Sequence, residues 1–179
     1  MIIILGTPGA GKTTQAQLLA ERLGCPWFSM GQLIRDNVTG QDRKEMLAGK
    51  IISDKVTLGI IDKTIGQVDT KNGQVVFEGN PRSIPQAKWW LEQEKQDRYK
   101  ITAVIHLVAS PAVAEKRLVN RGRLDDHDEN VVETRFAEYH RSIMPTLDFL
   151  KKSGVKVLEV NADGTIQQEQ ALINEALGI

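Results

Sequence analysis

The start of the chain restricts it most: an apolar, β-branched run, Ile2-Ile3-Ile4-Leu5, passes without a spacer into Gly6-Thr7-Pro8-Gly9-Ala10-Gly11-Lys12-Thr13, and residues with helical spacing follow. This is the full G-x-x-x-x-G-K-[ST] pattern in the strand-then-helix setting that gives it meaning. Glycines let the backbone turn consecutive N–H groups toward one point, and the positive end of the next helix dipole adds to them, so an anion is held without bulky side chains. The pattern predicts a phosphate cradle at Gly6, Pro8, Gly9, Ala10, Gly11, Lys12, Thr13 and Thr14. Lys12 would reach the β- and γ-phosphates, and the Thr13 hydroxyl would be the protein ligand of Mg²⁺. The competing explanation is a glycine-rich turn with an incidental lysine, and the completeness and placement of the pattern weigh against it.

The rest of the 179 residues continue the alternation of strand and helix. Apolar runs at Ile2 to Leu5, Val75 to Phe77, Ile101 to Val108 and Val155 to Val160, with a weaker one at Trp27 to Ser29, predict buried strands. Helical spacing appears at Ala16, Leu19, Ala20 and Leu23, at Leu58, Ile61, Ile65 and Val68, and at Ala87, Trp90 and Leu91. A longer helical stretch from about Glu129 to Ser153 should be bent or divided at Pro145. Ser110 before Pro111, and Thr165 with Gln168, mark helix starts. The expected fold is a three-layer α/β sandwich of P-loop NTPase type, with a five-stranded parallel sheet in one domain over 1–179.

Composition narrows the function further. Lys plus Arg and Asp plus Glu both number 23, and no block of like charges appears. Neither a nucleic-acid arm nor a membrane patch is therefore expected. The longest apolar runs fall far below the roughly 20 residues that span a bilayer. Met1 to Leu5 lacks the features of a signal peptide, so a cytoplasmic protein is expected. Cys25 is the one cysteine; it can form no intrachain disulfide and reads as a small hydrophobe. His106, inside a strand, reads as a core histidine, and His127 and His140 lack partners at ligand spacing, so no zinc is expected. No Asn-Lys-x-Asp occurs, which argues against a Ras-like guanine reader.

Beyond the cradle, further segments occur in an order that resembles the adenylate kinase and nucleoside monophosphate kinase family. They are Ser29-Met30-Gly31-Gln32-Leu33-Ile34-Arg35, Ala48 to Asp54, Glu78-Gly79-Asn80-Pro81-Arg82 through Gln86-Ala87, and Arg121-Gly122-Arg123-Leu124-Asp125-Asp126 with Arg135 and Tyr139. The resemblance implies transfer of the ATP γ-phosphate, with Mg²⁺, to a nucleoside monophosphate, AMP favoured, by a monomer. It places an acceptor-binding helical segment at about 30–65 and a very short lid at about 121–130. Ser29, Met30, Arg35, Ile52, Gly79, Arg82 and Gln86 would bind the acceptor, and Lys12, Arg82, Arg121, Arg123 and Arg135 would be catalytic. Glu78 stands where the family has an aspartate and would hold the metal through water.

The chemistry explains the need for arginines. Two polyanions must meet, and planar guanidinium forks suit phosphate oxygens. Taken singly, an arginine is most often part of a solvated face; Arg35, Arg82, Arg121, Arg123 and Arg135 in family register form a set. Charge stabilisation by such groups is worth roughly a thousandfold or more, and no general base is strictly required. Gln86 is expected by resemblance to read the acceptor base, yet Ser83-Ile84-Pro85-Gln86 also fits a capping box. Asp125 and Asp126 either orient lid arginines or enrich a helix's first turn.

The chain departs from the family pattern at Met30 for threonine, Gln32 for aspartate, Glu78 for aspartate, Asn80 for phenylalanine and Thr13 for glycine. Most of these changes line the acceptor side and bear on which base is accepted. A lid this short predicts futile ATP hydrolysis or compensation from the acceptor segment; closure over ligands is a motion for which adenylate kinases are themselves a standing example. Two alternatives remain at this level: a P-loop kinase for another small metabolite, and a nucleotide-binding regulator with weak transfer activity.

Overall fold

The computed structural model describes residues 1–68, 74–120 and 129–179. In chain order these form β1 (Ile2–Gly6), α1 (Lys12–Leu23), β2 (Trp27–Ser29), α2 (Met30–Asn37), α3 (Gly40–Leu47), α4 (Asp54–Ile65), β3 (Val76–Glu78), α5 (Ile84–Lys95), β4 (Ala103–Val108), α6 (Pro111–Asn120), α7 (Glu129–Glu138), α8 (Met144–Lys152), β5 (Val157–Asn161) and α9 (Ile166–Leu177). The five strands make one sheet in the order β2-β3-β1-β4-β5, and every pairing is parallel.

The apolar runs explain the layering. Along β1 successive side chains leave opposite faces of the sheet. Ile3 and Leu5 enter a core with Met30, Ile61, Phe77, Trp90 and Leu147. Ile2 and Ile4 enter a second core with Ala16, Leu19, Ala114 and Ile173. Helices α2, α4, α5 and α8 thus cover one face and α1, α6 and α9 the other, which is the expected three-layer sandwich. On the first face Trp90 packs edge-on against Phe77, ring centroids 5.2 Å apart, and lies 5.1 Å from Tyr99.

Element ends follow local chemistry. The Thr165 side chain accepts from the Gln168 N–H while the Gln168 side chain accepts from the Thr165 N–H, a complete capping box. Helix α4 stops at Ile65, so Val68, expected on its apolar face, lies beyond its end. Between α7 and α8 the chain makes a π-helical turn at Tyr139–Ile143, which ends at the residue before Met144-Pro145 at the start of α8. Proline supplies no N–H and its ring crowds the carbonyl four residues back, so the helix widens there and is divided.

All strands point the same way, so their carboxyl ends share one rim. The chain builds β2 and β3 on one side of β1 and then crosses to β4 on the other, and a crevice opens above such a switch point. His106, on β4, is buried as expected of a core residue. Its Nε2 lies 2.8 Å from the Tyr139 hydroxyl and its Nδ1 3.4 Å from a Glu159 carboxylate oxygen. Burial pushes the imidazole below its ordinary value, and Glu159 opposes that shift. Cys25 is half-buried against the second core, where burial pushes its thiol up.

Candidate active site

At the carboxyl end of β1 the backbone turns sharply enough to require glycine. Gly9 has φ 77°, and a Cβ there would stand 2.4 Å from the Ala114 carbonyl oxygen of α6, so no other residue fits without displacing that helix. The first turn of α1 follows without a side-chain cap, and its N–H groups have no intrahelical acceptor. Lys12 folds back over this nest, Nζ donating to the Gly6 and Thr7 carbonyls at 3.1 and 2.7 Å. The loop is braced on β4: Thr7 N–H donates to the Leu107 carbonyl at 3.1 Å, and the Ala109 N–H to the Thr7 hydroxyl at 3.1 Å.

The nest forms one end of a cleft of about 450 Å³. Of the cradle residues, Gly6, Pro8, Gly9, Gly11, Lys12, Thr13 and Thr14 border it. Ala10 does not: its methyl is buried in the second core and its N–H is spent on the Thr7 carbonyl at 3.2 Å. The Thr13 hydroxyl lies 3.4 Å from a carboxylate oxygen of Glu78, at the end of β3. A hydroxyl and a buried carboxylate, both hard oxygen donors beside a phosphate nest, fit Mg²⁺. Among the described residues no group of three or more His, Cys, Asp or Glu could hold a metal by itself.

The expected acceptor residues Ser29, Met30, Arg35, Ile52, Gly79, Arg82 and Gln86 all border the same cleft, as does Arg135. Gln32, in place of aspartate, accepts from Arg35 Nε and Nη2 at 3.2 and 2.9 Å and holds that side chain along α2. Arg82 Nε donates to the Gly79 carbonyl at 2.7 Å. Burial pushes Arg82 below its ordinary value; Glu78 opposes this, while Arg135 and Arg35 push it the same way. An arginine stays cationic through such shifts, so three like charges stand assembled where a polyanion would relieve their repulsion. Arg121, Arg123, Asp125, Asp126 and His127 lie outside the described residues.

The structure bears on the capping reading of Gln86. Ser83 does cap α5, its side chain accepting from the Gln86 N–H at 3.3 Å. The reciprocal half is missing, because the Gln86 side chain turns instead to Asn80, Arg82 and Asp54. Gly49 closely approaches α7: a Cβ there, φ 78°, would meet the Val131 carbonyl oxygen at 2.9 Å and Arg135 Cγ at 3.2 Å.

Several residues that sequence reasoning did not assign border the cleft beside the nest, where a Cβ at Gly11 would stand 3.6 Å from a Glu169 carboxylate oxygen and 3.9 Å from Arg117 Nη1. Arg117 Nη1 donates to the Ala162 carbonyl at 2.8 Å, and Nη2 to the Gly164 carbonyl and the Glu169 carboxylate at 2.7 Å each. Glu169, nearly inaccessible, also accepts from Gln15 Nε2 at 3.0 Å. The signal for Arg117 was available in the sequence, where it stands four positions before Arg121. Glu169 and Gln15 reach it from distant helices and had no local signature.

A model of the adenylate kinase family matches residues 4–155. The chain is 38% identical to adenylate kinase of Mycobacterium ulcerans over 183 aligned positions, covering 99% of this chain and 98% of the relative. It is 34% identical to adenylate kinase of Corynebacterium urealyticum, covering 93% and 92%, and 31% identical to that of Corynebacterium glutamicum, covering 99% and 98%. Agreement of this extent spans nearly the whole chain, and on it the chain belongs to the adenylate kinase family.

Proposed function

We propose that the chain transfers the γ-phosphate of ATP, with Mg²⁺, to a nucleoside monophosphate, AMP in the first instance, and that the residues brought together in the cleft carry the reaction. The observation that supports this best is the anion nest of residues 6–13 facing Arg35, Arg82 and Arg135 across one cleft. Either feature alone would suit many phosphate-binding proteins. Both together suit a protein that holds two phosphorylated molecules at once.

In this reading the β- and γ-phosphates lie in the nest under Lys12, and the donor nucleoside extends past Gly11 toward Arg117. Arg35 and Arg82 hold the acceptor phosphate, and Arg135, with Arg121 and Arg123, gathers charge on the transferring group. An ionised oxygen of the acceptor phosphate attacks the γ-phosphorus, and the bond from that phosphorus to the β-bridging oxygen breaks. With AMP both products are ADP. No proton must be removed from the nucleophile, so positioning and charge stabilisation supply the catalysis. Thr13 would hold Mg²⁺ directly and Glu78 would hold it through water, and the ion would supply neutralisation of phosphate charge there.

The proposal takes 1–179 as one domain, with an acceptor segment at about 30–65 and a very short lid at about 121–130, working as a cytoplasmic monomer. The contact of Gly49 with α7 favours compensation for the short lid by the acceptor segment over leakage of ATP to water. Incubating ATP with each ribo- and deoxyribonucleoside monophosphate tests the function: diphosphate forms with at least one, AMP first. Absence of diphosphate from all of them would overturn it.

A further inference from the structure

Two buried amides and an indole form a chain behind the acceptor side of the cleft, and their senses are fixed by groups that can act in one direction only. The Trp90 indole N–H can only donate, and Asn80 Oδ1 accepts it at 2.6 Å. The other end of the Asn80 amide is therefore Nδ2, which donates to Gln86 Oε1 at 2.5 Å. The main-chain N–H of Arg82, also a donor, reaches the same oxygen at 2.8 Å. The Asp54 carboxylate accepts from Gln86 Nε2 at 2.8 Å and from the Ser83 hydroxyl at 2.6 Å. Swapping nitrogen and oxygen in either amide would set donor against donor, so the orientation of both is settled by chemistry.

This leaves Gln86 with an unusual offer to a ligand. Its oxygen has two lone pairs and both are occupied; its nitrogen has two protons and one is occupied. Trp90, Asn80 and Gln86 are each fully buried against bulk water, and Gln86 borders the cleft beside Gly79 and Arg82. An apolar side chain at position 80, such as the phenylalanine of the family pattern, would leave one lone pair of Oε1 open.

We propose that Asn80 is a positioning residue for acceptor specificity: by filling Gln86 Oε1 it makes Gln86 a donor-only reader, so the enzyme recognises the acceptor base through a ring-nitrogen or carbonyl acceptor and not through an exocyclic amine. This rests on the function proposed above, with Gln86 facing the acceptor base. A glutamine with a free amide edge rejects a base lacking the amine, because its own oxygen is then left unpaired. Here that oxygen is already satisfied within the protein, and rejection on that ground disappears. A base that lacks the ring acceptor strands the Nε2 proton instead.

The test compares kcat/KM at saturating ATP for AMP, purine riboside 5′-monophosphate, which lacks only the amine, and 1-deazaadenosine 5′-monophosphate, which lacks only the N1 acceptor. The expected result is a loss within about threefold for the first analogue and of about ten- to a hundredfold for the second, the range of one unsatisfied polar group in a dry site. The reverse ranking would overturn the proposal. A second arm uses Asn80→Leu with Trp90→Phe, which removes the indole that Asn80 would leave unpaired. Discrimination between AMP and the amine-free analogue should then rise about tenfold, a change that loosened packing alone would not produce. An unchanged ratio in folded protein sinks the idea, and if the double variant does not fold, the two analogues on the native enzyme decide. Failure of every monophosphate to yield a diphosphate would instead remove the function on which the proposal stands.

Discussion

The two ends of the cleft, which the proposed reaction assigns to donor and acceptor, are built by different means. The donor nest is one contiguous stretch, residues 6–13, and it works through backbone N–H groups and φ angles. The acceptor wall is assembled from α2, α4, the β3–α5 turn and α7, and it works through side chains that hold one another. A contiguous backbone device admits few substitutions where φ is left-handed, as at Gly9. A side-chain device can be retuned one residue at a time, and of the five departures from the family pattern Met30, Gln32 and Asn80 fall on that side, with Thr13 in the nest and Glu78 between the two.

The largest expected effect tests whether the two ends are separable. Arg82→Ala should lower kcat/KM for phosphotransfer by about a thousandfold while the dissociation constant for ATP, read by equilibrium titration, stays within about twofold. Parallel loss of ATP binding would mean that the ends do not act independently.

Glu78 joins the ends, since its carboxylate sits on the acceptor-side strand and lies 3.4 Å from Thr13. Glu78→Gln should raise the Mg²⁺ concentration needed for half-maximal rate by about ten- to a hundredfold, as expected for an outer-shell partner. An unchanged magnesium dependence would remove Glu78 from the metal's surroundings.

The nest should also be the more brittle end in stability. Gly9→Ala forces a side chain into left-handed backbone and toward the Ala114 carbonyl, costing about 2 kcal/mol or more in denaturant unfolding. Ile52→Val on the acceptor wall should cost about 1 kcal/mol. Equal costs would blunt the contrast.

The smallest effect lies behind both ends, at His106. Its folded value is depressed from the ordinary 6.5, chiefly by burial, with Glu159 opposing and Lys151 and Lys12 adding to the depression. The unfolded chain therefore takes up the proton first as pH falls. This contribution to stability is complete above about pH 6.5 and is lost as the pH falls from there through the folded value. The melting temperature should drop between pH 7.5 and 5.5, and His106→Gln should flatten that drop; an equally steep profile in the variant would assign the pH dependence to other groups.

Much of this protein was legible before its structure. The strands announced themselves because a sheet covered on both faces needs unbroken β-branched runs, and the nest because its chemistry is written in adjacent residues. Less legible was anything decided by partners far apart in the chain. Asp54 looks like an ordinary acidic residue at a helix start, and only the fold brings it to Gln86, 32 positions away. Gln86 itself carried two readings that no local pattern could separate. Ala10 sits inside the motif, yet its N–H and methyl are turned away by the curvature of the loop. The π-helical turn at Tyr139–Ile143 follows from Pro145, but whether a proline bends or divides a helix depends on what the widened turn packs against.

The amino-acid sequence alone determined the alternation of strands and helices, the parallel sheet and the phosphate nest, because each depends on neighbours in the chain, on periodicity and on the sign of φ. Tertiary structure decided which arginines converge, that Arg117 and Glu169 stand beside Gly11 of the nest, and which way the Gln86 amide faces. Those depend on distances between residues that local physics leaves unconstrained until the core has formed.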